Sequence, residues 1–484
     1  GVDPKKSQKE IRVIHLPLVI ANTALALSKY LNRIGVDSKV ISYFRTWLNY
    51  EGDINLELDN ISGAGRNRKV AAFVDDFLQN EAHKYDIFHF HFFDSLSTGS
   101  SFGGGRSHPV REAYWDLEYI KNLGKKIVVS SWGSDVRNNS KIVYSQLQFE
   151  QAGLEIPYPP RNRKDQYSTI WAFARYADVI VHGDTEVVDH APHGTMIPIL
   201  IDLEPFDQLL HDVKSEDAGL SIVYAPTNHF SKGTAYVEKI LKIIADRYGE
   251  RVEIRRVHGI PHQEAVIRYL GKGITIDQIG SFSFGLFALE SLYLGRTVVT
   301  SLRRGEFFGD DPKLQAPIIP VINESDFLEK LVHTIENGVF DRGPEYREYV
   351  RNSFGADVVA SKYKALYEQL MAGERIAQYV GNDWYGEFNS LISSRKIDLR
   401  DYYPKVTDLL LTRGDFEKLE HEVQMGLGLN DDVDLLAKYI VTLELTNRDA
   451  AADAMKKNNR KAMSSNEFRR CYRRARELYS GSKE

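Results

Sequence analysis

DQIGSFSFGLFALESLYLGRTVVT, residues 277–300, is the stretch that decides the fold of this chain. A turn ends at Gly285 and runs into a short helix that begins with Leu286 and Phe287 and carries a single carboxylate, Glu290. In a chain of alternating strands and helices, the backbone N–H groups at such a helix N-terminus bind anionic phosphates. Glu290, one turn further on, would then accept hydrogen bonds from ribose hydroxyls. The alternative is a buried βαβ unit in which Glu290 is only solvated.

Composition narrows the classes of function. The 484 residues are 43% hydrophobic and 27% charged, which is ordinary for a soluble globular protein. The net charge of −5 argues against a general nucleic-acid binder, and we expect no nucleic-acid partner. With Cys471 as its one cysteine, the chain has no disulfide framework and no cysteine-based metal site. Because no apolar run approaches the roughly 18 residues of a membrane span, we expect a cytoplasmic protein.

Strands and helices alternate in two successive series, which is typical of parallel doubly wound sheets. The first series has predicted strands at residues 11–16, 37–43, 85–93, 126–131 and 177–182. The second has predicted strands at residues 220–225, 253–258, 274–276, 297–300 and 318–322. We therefore predict an α/β fold with two Rossmann-like domains, residues 9–204 and 205–373, that face each other across a cleft.

No strand pattern continues beyond residue 373, and residues 374–484 are predicted to form a helical appendage. Between Lys456 and Arg476, nine basic residues accompany one acidic residue, Glu467. Six side chains share the apolar face of this segment: Phe468, Cys471, Tyr472, Ala475, Leu478 and Tyr479. A basic amphipathic helix can lie on an anionic membrane surface, which would make the protein membrane-associated. The alternative, which we favour, is a last helix that packs on its own domain and leaves its basic face in water.

A lysine early in the second domain is another candidate for phosphate binding. In APTNHFSKGT, residues 225–234, a strand ends, a turn follows, and Lys232 and Gly233 precede a helix. Parallel strands end at one edge of a sheet, so Lys232 is expected to point into the same crevice as the Gly285 turn. There it would neutralise a diphosphate and stabilise it as a leaving group. The alternative is an ordinary surface lysine.

The sequence here resembles the GT-B glycosyltransferases, and among them the retaining glycosyltransferase family 4 group. The second domain carries the resemblance through KGT (232–234), GIPHQEAVIRYL (259–270), ITIDQ (274–278) and GLFALESLYLGRTVV (285–299). The first domain resembles one subset of that group through YDIFHFHFF (85–93), GKKIVVSSWGSDVR (124–137), ADVIVHGD (177–184) and IDLEPFD (201–207). The similarity spans roughly residues 11–370. It implies transfer of a sugar from a nucleotide sugar to an acceptor, usually without a metal.

The resemblance implies roles for individual residues. Lys232 resembles the family's diphosphate-binding lysine, and Gly285 to Phe287 match its phosphate-facing turn. Glu290 matches the second glutamate of the family's E-x7-E motif, the one that lies at the ribose.

Two positions depart from the family pattern. The first glutamate of the E-x7-E motif, expected near the donor sugar, is replaced by Phe282. The family's arginine, usually about five residues before the lysine, is replaced by Thr227. We expect His229 to substitute in part for that arginine as a hydrogen-bond donor to phosphate.

The loop WGSDVR, residues 132–137, follows a predicted strand of the first domain. Asp135 would accept a hydrogen bond from a sugar hydroxyl, and Arg137 would pair with phosphate or with Asp135. In related sequences this loop faces the acceptor and the donor sugar. The alternative, to which we give equal weight, is an Asp N-cap with a salt-bridged Arg.

His89 and His91 lie two residues apart in a predicted strand, so their side chains share a face and raise the question of a metal. No third ligand is evident in the sequence, and we predict no metal site because three or four ligands are the norm. We expect His91, nearer the strand end, to face the acceptor instead, with Asp94 as another candidate there.

Two further loops are candidates for contact with substrate. GSSFGGGRS, residues 99–107, lacks the ending of a P-loop and is interpreted as a mobile loop that closes over an acceptor, with plain flexibility as the alternative. Arg303 and Glu306 follow the strand that ends at Thr300 and are expected to open to the cleft.

Together these features predict a glycosyltransferase of the hexosyltransferase type, active in polysaccharide biosynthesis. It would move a sugar from a nucleoside diphosphate sugar, with a UDP-sugar as the expected donor, to a glycan, lipid-linked glycan or protein acceptor, with no further cofactor. The predicted catalytic residues are Lys232, Asp135 and His91. The predicted donor-binding residues are Gly285, Leu286, Phe287, Glu290, Lys232, His229 and Arg137.

Two alternatives remain open at this stage. Phe282 and the helical appendage motivate the first, a catalytically silent GT-B protein that acts as a partner or chaperone of another glycosyltransferase. The second is a sugar-nucleotide epimerase on the same fold. Homo-oligomeric and hetero-oligomeric assembly are both left open.

Overall fold

The structure is a computed structural model. It describes the following residues: 10–45, 51–99, 111, 113–133, 135–136, 169–170, 172–173, 175–183, 187, 194–212, 219–226, 232–279, 283–302, 312–321, 323–374, 376, 407–408, 410–411, 414, 416–427 and 432–480.

The chain divides into two compact units by its internal contacts. The first unit comprises residues 1–166 and 178–381, and the second comprises residues 167–177 and 382–484. The predicted α/β segments fall in the first unit except for residues 167–177, and most of the predicted appendage falls in the second. The predicted domain boundaries, which divide the chain into three, stay predictions.

The first sheet of the larger unit has seven strands: β1 Arg12–Pro17, β2 Asp37–Ser42, β3 Ile54–Asn55, β4 Ile87–His91, β5 Lys126–Ser131, β6 Val179–His182 and β7 Thr195–Met196. Their order across the sheet is β3-β2-β1-β4-β5-β6-β7, and every pairing is parallel. The central strands are buried on both faces, which explains why they read as nearly continuous apolar runs. The strand order reverses direction between β1 and β4, where doubly wound sheets bind their ligands.

Among the described residues, the helices of this first half are α1 Thr23–Arg33, α2 Gly63–Asn80 and α3 Trp115–Asn122. Helix α4, Glu204–Asp212, comes next in the chain and buries Phe206 in the core of the second sheet. The apolar spacing of α1 buries Leu27 and Leu31 against the sheet. Helix α2 was not predicted, because only five of its eighteen side chains are buried and its apolar periodicity is weak.

The second sheet has five strands: β8 Ser221–Tyr224, β9 Glu253–Arg256, β10 Gly273–Ile276, β11 Thr297–Thr300 and β12 Ile319–Pro320. Their order is β12-β11-β10-β8-β9, again all parallel. Its helices are α5 Thr234–Tyr248, α6 His262–Arg268, α7 Leu286–Tyr293 and α8 Glu324–Asn337. Here the order reverses between β8 and β10, which marks this pair as the second switch point.

Two later helices, α9 Gly343–Phe354 and α10 Ala356–Met371, follow the second sheet in the chain, but they do not both pack on it. Val350 and Phe354 of α9 join the core of the second sheet. Tyr363 and Tyr367 of α10 join the core of the first sheet, although α10 comes last in the chain. Helix α10 therefore ties the two halves of the larger unit together.

The second unit is helical where the structure describes it. Its helices are α11 Phe416–Leu427, α12 Val433–Leu445, α13 Asp449–Asn458, α14 Arg460–Met463 and α15 Asn466–Ser480. Phe468 of α15 packs with Leu436 and Ile440 of α12. The apolar face of α15 is thus used within its own unit, as in the interpretation favoured from the sequence. Among the described residues, no helix combines the length and the hydrophobicity that crossing a bilayer requires.

These observations confirm the predicted fold class, which is α/β with two Rossmann-like parallel sheets and a helical C-terminal part.

Candidate functional site

The predicted phosphate-binding residues lie at the carboxyl edge of the second sheet, at its switch point. Lys232 follows β8, Asp277 follows β10, and these two strands are neighbours. Open α/β sheets bind ligands in the crevice outside this point, because the connections on either side run to opposite faces and leave a gap. The topology therefore brings Lys232 close to Asp277 and to Gly285.

Gly233 fixes the position of Lys232. Its φ of +64° lies in the left-handed region that favours glycine, and a side chain there would put a Cβ 2.1 Å from the carbonyl oxygen of Ile279. The backbone at Lys232 packs directly on that segment, since Ile279 donates its N–H to the Lys232 carbonyl at 3.2 Å. The lysine is thus anchored to the start of the turn that contains Gly285.

Asp277 is the residue that sequence reasoning missed. Its side chain is fully buried, and Oδ1 lies 2.5 Å from Lys232 Nζ. Oδ2 accepts the backbone N–H of Gly285 at 2.9 Å. One carboxylate therefore joins both groups that were predicted to bind phosphate. No local pattern indicates this contact, because Lys232 and Asp277 are 45 positions apart and meet only through the β8–β10 pairing.

The N-terminus of α7 lies directly after Gly285 in the chain. Gly285 is its N-cap residue, so the N–H groups of Leu286 and Phe287 lie in the first turn, which has no carbonyl partners within the helix. Leu286 and Phe287 are partly exposed, so a ligand can reach this end of the helix. Of the three predicted phosphate-facing N–H groups, that of Gly285 already has an internal acceptor, and those of Leu286 and Phe287 have no acceptor among the described residues.

Glu290 lies one turn into α7 and is largely buried. His262, the first residue of α6, places Nε2 2.8 Å from Glu290 Oε1. The hydrogen bond to Glu290 raises the pKa of His262 above its ordinary value. His262 was not singled out from the sequence, and nothing in its local pattern distinguishes it from other residues at the start of a helix.

Several predicted residues lie outside the described part of the chain. These are His229, Arg137, Phe282, Thr227, Arg303, Glu306 and most of the loop 99–107. Their predicted roles stay predictions.

At the switch point of the first sheet, three buried histidines meet. The β1–β4 register pairs His15 with His89, and His91 lies two residues further along β4. His15 Nδ1 is 2.9 Å from His91 Nε2, and the rings of His89 and His91 stack with centroids 4.2 Å apart. The sequence indicated His89 and His91 but not His15, because only the strand pairing brings it to them.

Burial lowers the pKa of all three histidines, and that of His91 falls to about 3. The cluster is therefore neutral near pH 7, which suits groups that exchange hydrogen bonds rather than bear charge.

The three ring systems have the composition of a metal site, since their nearest nitrogens lie within 4.8 Å of one another. Both nitrogens of His89 are already engaged, with Tyr367 Oη and Ser130 Oγ, each at 2.7 Å. His15 is likewise engaged through both nitrogens, with His91 and with Ser38 Oγ at 3.0 Å. We therefore describe the cluster as a hydrogen-bonded network, and the absence of a metal requirement stays a prediction.

One of the two ring nitrogens of His91 makes no hydrogen bond within the described part of the chain. This nitrogen is Nδ1, and it is buried. His91 lines a cavity of about 10 Å³ together with Ser130, Ser131 and Trp132. The indole Nε1 of Trp132 is also buried and has no hydrogen-bond partner among the described residues. The volume of the cavity suits one water molecule or one hydroxyl group.

Asp135 is buried and organises its own loop. Its carboxylate accepts the backbone N–H groups of Trp132, at 3.0 and 3.1 Å, and of Gly133, at 2.8 Å. These N–H groups precede Asp135, whereas the N-cap contact expected from the sequence would be to N–H groups that follow it and lie outside the described residues. The carboxylate holds Trp132 beside His91, whose ring centroid lies 6.0 Å from that of the indole.

Comparison with known proteins gives likenesses at the level of the fold. No protein-family model matches the sequence, and no curated protein matches it. Among solved structures, sucrose-phosphate synthase from Thermosynechococcus elongatus is similar at 15% identity and a TM-score of 0.49, over 75% of this chain and 100% of that one. A glycosyltransferase from Rickettsia africae is similar at 13% identity and a TM-score of 0.46, over 75% and 99% of the two chains.

An epimerase is also among the similar structures. UDP-GlcNAc 2-epimerase from Neisseria meningitidis, bound to UDP-GlcNAc, is similar at 12% identity and a TM-score of 0.42, over 75% of this chain and 99% of that one. The architecture of two Rossmann-like domains is assigned to this chain from its own strand order and parallel pairing.

Proposed function

We propose that this chain is a glycosyltransferase that takes a sugar from a nucleoside diphosphate sugar. The observation that carries the proposal is the convergence of Lys232, Asp277 and the α7 N-terminus at the switch point of the second sheet. A cation beside open backbone N–H groups at a helix N-terminus is suited to a diphosphate.

The main chemical task of this site would be to stabilise the leaving group. When the bond between the sugar and the diphosphate breaks, negative charge grows on the departing phosphate. Lys232 and the N–H groups of Leu286 and Phe287 would stabilise that charge from fixed positions. Glu290 would accept hydrogen bonds from the ribose hydroxyls, with His262 orienting its carboxylate.

We place the acceptor at the first sheet. His91 and Trp132 line one cavity with room for a hydroxyl group, and each has a buried ring nitrogen without a partner among the described residues. Burial keeps His91 neutral. A neutral imidazole nitrogen can accept a hydrogen bond from an acceptor hydroxyl and so orient it. Asp135 would support this site by holding the loop that carries Trp132.

The finer assignments rest on the family resemblance of the sequence. A UDP-sugar donor, retention of configuration, independence of a metal and a glycan, lipid-linked glycan or protein acceptor are proposed on that basis. Phosphate binding by His229 and Arg137 is proposed on the same basis.

A second candidate is a silent protein of the same fold that serves another glycosyltransferase. One observation favours it: the buried carboxylate of Asp277 already neutralises Lys232, so the pair presents less positive charge to a diphosphate than a lone lysine would.

Nucleotide binding tests the proposal. Calorimetric titration of the full chain with UDP, GDP and dTDP is expected to show binding of at least one of them. Glu290→Gln should weaken that binding about tenfold, the loss expected when a charge-assisted hydrogen bond becomes neutral. Because Glu290 is assigned to the ribose, inorganic pyrophosphate should bind the variant and the parent equally.

Glu264→Gln is the matched control, since Glu264 lies on α6 two residues from His262 and is exposed. No binding of any nucleoside diphosphate would favour the silent protein, and Glu290→Gln binding like the parent would refute the ribose assignment. Conversion of a nucleotide sugar to its epimer without an acceptor would identify an epimerase instead.

A further inference from the structure

We propose that Asp277 is a positioning residue that holds Lys232 and the N-terminus of α7 in one arrangement for the diphosphate. This inference rests on the proposed function, because it concerns the same phosphate site. It adds a residue that neither the sequence pattern nor the family resemblance assigns.

The geometry is that of a bridge between two elements. Oδ1 of Asp277 accepts a hydrogen bond from the ammonium of Lys232, which follows β8. Oδ2 accepts a hydrogen bond from the backbone N–H of Gly285, the N-cap residue of α7. The groups are close enough that a Cβ on Gly285 would lie 3.7 Å from Lys232 Nζ and 4.0 Å from Asp277 Oδ2. A single planar carboxylate therefore fixes the separation of the lysine ammonium and the open helix end.

The hydrogen-bonding capacity of Lys232 leaves room for a ligand. An ammonium has three donors. One of them is donated to Asp277 Oδ1, with Nζ and Oδ1 2.5 Å apart. A longer contact of 3.4 Å joins Nζ to Gln278 Oε1. The side chain is only 13% exposed, so its remaining reach is confined to the crevice. Without Asp277 the flexible four-carbon stem would be free to leave this position.

Removal of Asp277 has two opposing effects on the affinity of the site for an anion. Loss of a buried negative charge raises the local positive potential and by itself tightens the binding of any anion. Loss of the bridge releases Lys232 and Gly285 and weakens binding. We infer that the second effect dominates, because the bridge fixes both phosphate-binding elements at once.

The test is a double-mutant cycle on the full chain with Asp277→Asn, Lys232→Met and the two combined. UDP affinity is measured by calorimetry, and folding is checked by circular dichroism. Asp277→Asn should weaken UDP binding about tenfold, the value of one charge-assisted hydrogen bond. In the Lys232→Met background the same change should weaken UDP binding less than in the parent, because only the contact with Gly285 is left to lose. Asp277→Glu should recover part of the affinity.

Tighter or unchanged UDP binding by Asp277→Asn would overturn the inference, since Asp277 would then compete with the anion or be irrelevant to it. Equal weakening in both lysine backgrounds would also overturn it, by showing that Asp277 acts independently of Lys232.

A second readout does not depend on nucleotide binding and so separates this inference from the proposed function. Acetylation of Lys232 by acetic anhydride, followed by mass spectrometry of the native protein, should be faster in Asp277→Asn than in the parent, because the ion pair is lost. Equal rates would refute the positioning role even if no nucleotide binds the parent. If acetylation is faster in Asp277→Asn but no nucleotide binds the parent, the positioning role of Asp277 is supported and only the proposed function is refuted.

Discussion

At the scale of single residues, Lys232 and Asp277 form one unit. Asp277 is buried, so its charge depends on the lysine for compensation. Lys232 and the N–H of Gly285 are thus both held by one internal carboxylate. The chemical role of Lys232 cannot be separated from its structural one by a single substitution.

Lys232→Ala is therefore expected to lower the free energy of unfolding by about 3–5 kcal/mol, because it leaves a buried carboxylate without a partner. The combined Lys232→Met and Asp277→Asn variant removes both charges and should stay within about 1.5 kcal/mol of the parent. Urea unfolding measures both. A Lys232→Ala protein as stable as the parent would show that Asp277 is compensated by something other than the lysine.

At the scale of the elements, the histidine cluster joins β1 and β4 through side chains that are neutral in the folded state. Their pKa values are lowered below the ordinary 6.5, whereas in the unfolded chain they return to it. The unfolded state therefore binds more protons below pH 6.5, and acid favours unfolding. The stability is fully present above pH 6.5 and is lost as the pH falls toward the folded-state pKa, which for His91 is about 3.

We expect the free energy of unfolding to fall below pH 6.5 by up to about 1.4 kcal/mol per pH unit for each of the three histidines. His91→Asn should reduce this slope by about one third, since it removes one of three titrating groups. Urea unfolding between pH 7.5 and 5.5 measures the slope. His211→Gln, at an exposed histidine of α4, is the control and should leave the slope unchanged. An unchanged slope in His91→Asn would contradict the neutral cluster.

The elements also show what a sequence can and cannot predict. Strands 126–131 and 297–300 were predicted with their observed bounds, because β-branched residues between a glycine-ended helix and a turn form a strong local pattern. Helix α10 was missed, although it completes the core of the first sheet. Its place is decided by packing against strands more than 200 positions away, which local periodicity does not record.

The same limit applies to the candidate site. Lys232, Gly285 and Glu290 were singled out because each lies after a strand, at the start of a helix or in its first turns, in a recognisable pattern. Asp277, His262 and His15 were missed because their roles depend on partners 28 to 76 positions away. Arg296 was missed for the same reason. It is fully buried and donates to the backbone carbonyls of Ser221, Gly271 and Ile274, at the strand ends opposite the candidate site.

At the scale of the whole molecule, charge is distributed unevenly. In the helical unit, α15 buries Phe468 and Ala475, and its exposed face carries Arg469, Arg470 and Arg473. Because the apolar face is occupied, insertion of this helix into a bilayer is not expected. An electrostatic contact with an anionic surface is the remaining way for this helix to meet a membrane, at about 1 kcal/mol per basic residue.

If that contact exists, the full chain should float with vesicles that contain phosphatidylserine at low salt, and raising the salt concentration should release it. Replacing Arg469, Arg470 and Arg473 by Gln should abolish flotation while leaving the helical circular dichroism unchanged. Vesicles of phosphatidylcholine alone are the control. Flotation that persists in the triple variant would refute this role for α15.

The central claim is that a nucleoside diphosphate binds at the α7 N-terminus of the second sheet, and amide hydrogen exchange tests it most directly. With saturating UDP, we expect exchange of the Leu286 and Phe287 amides to slow about tenfold or more, because the phosphates accept hydrogen bonds from them. The combined Lys232→Met and Asp277→Asn variant should lose this protection. Calorimetric binding of UDP without any change at residues 286–287, or with protection confined to strands of the first sheet, would contradict the account.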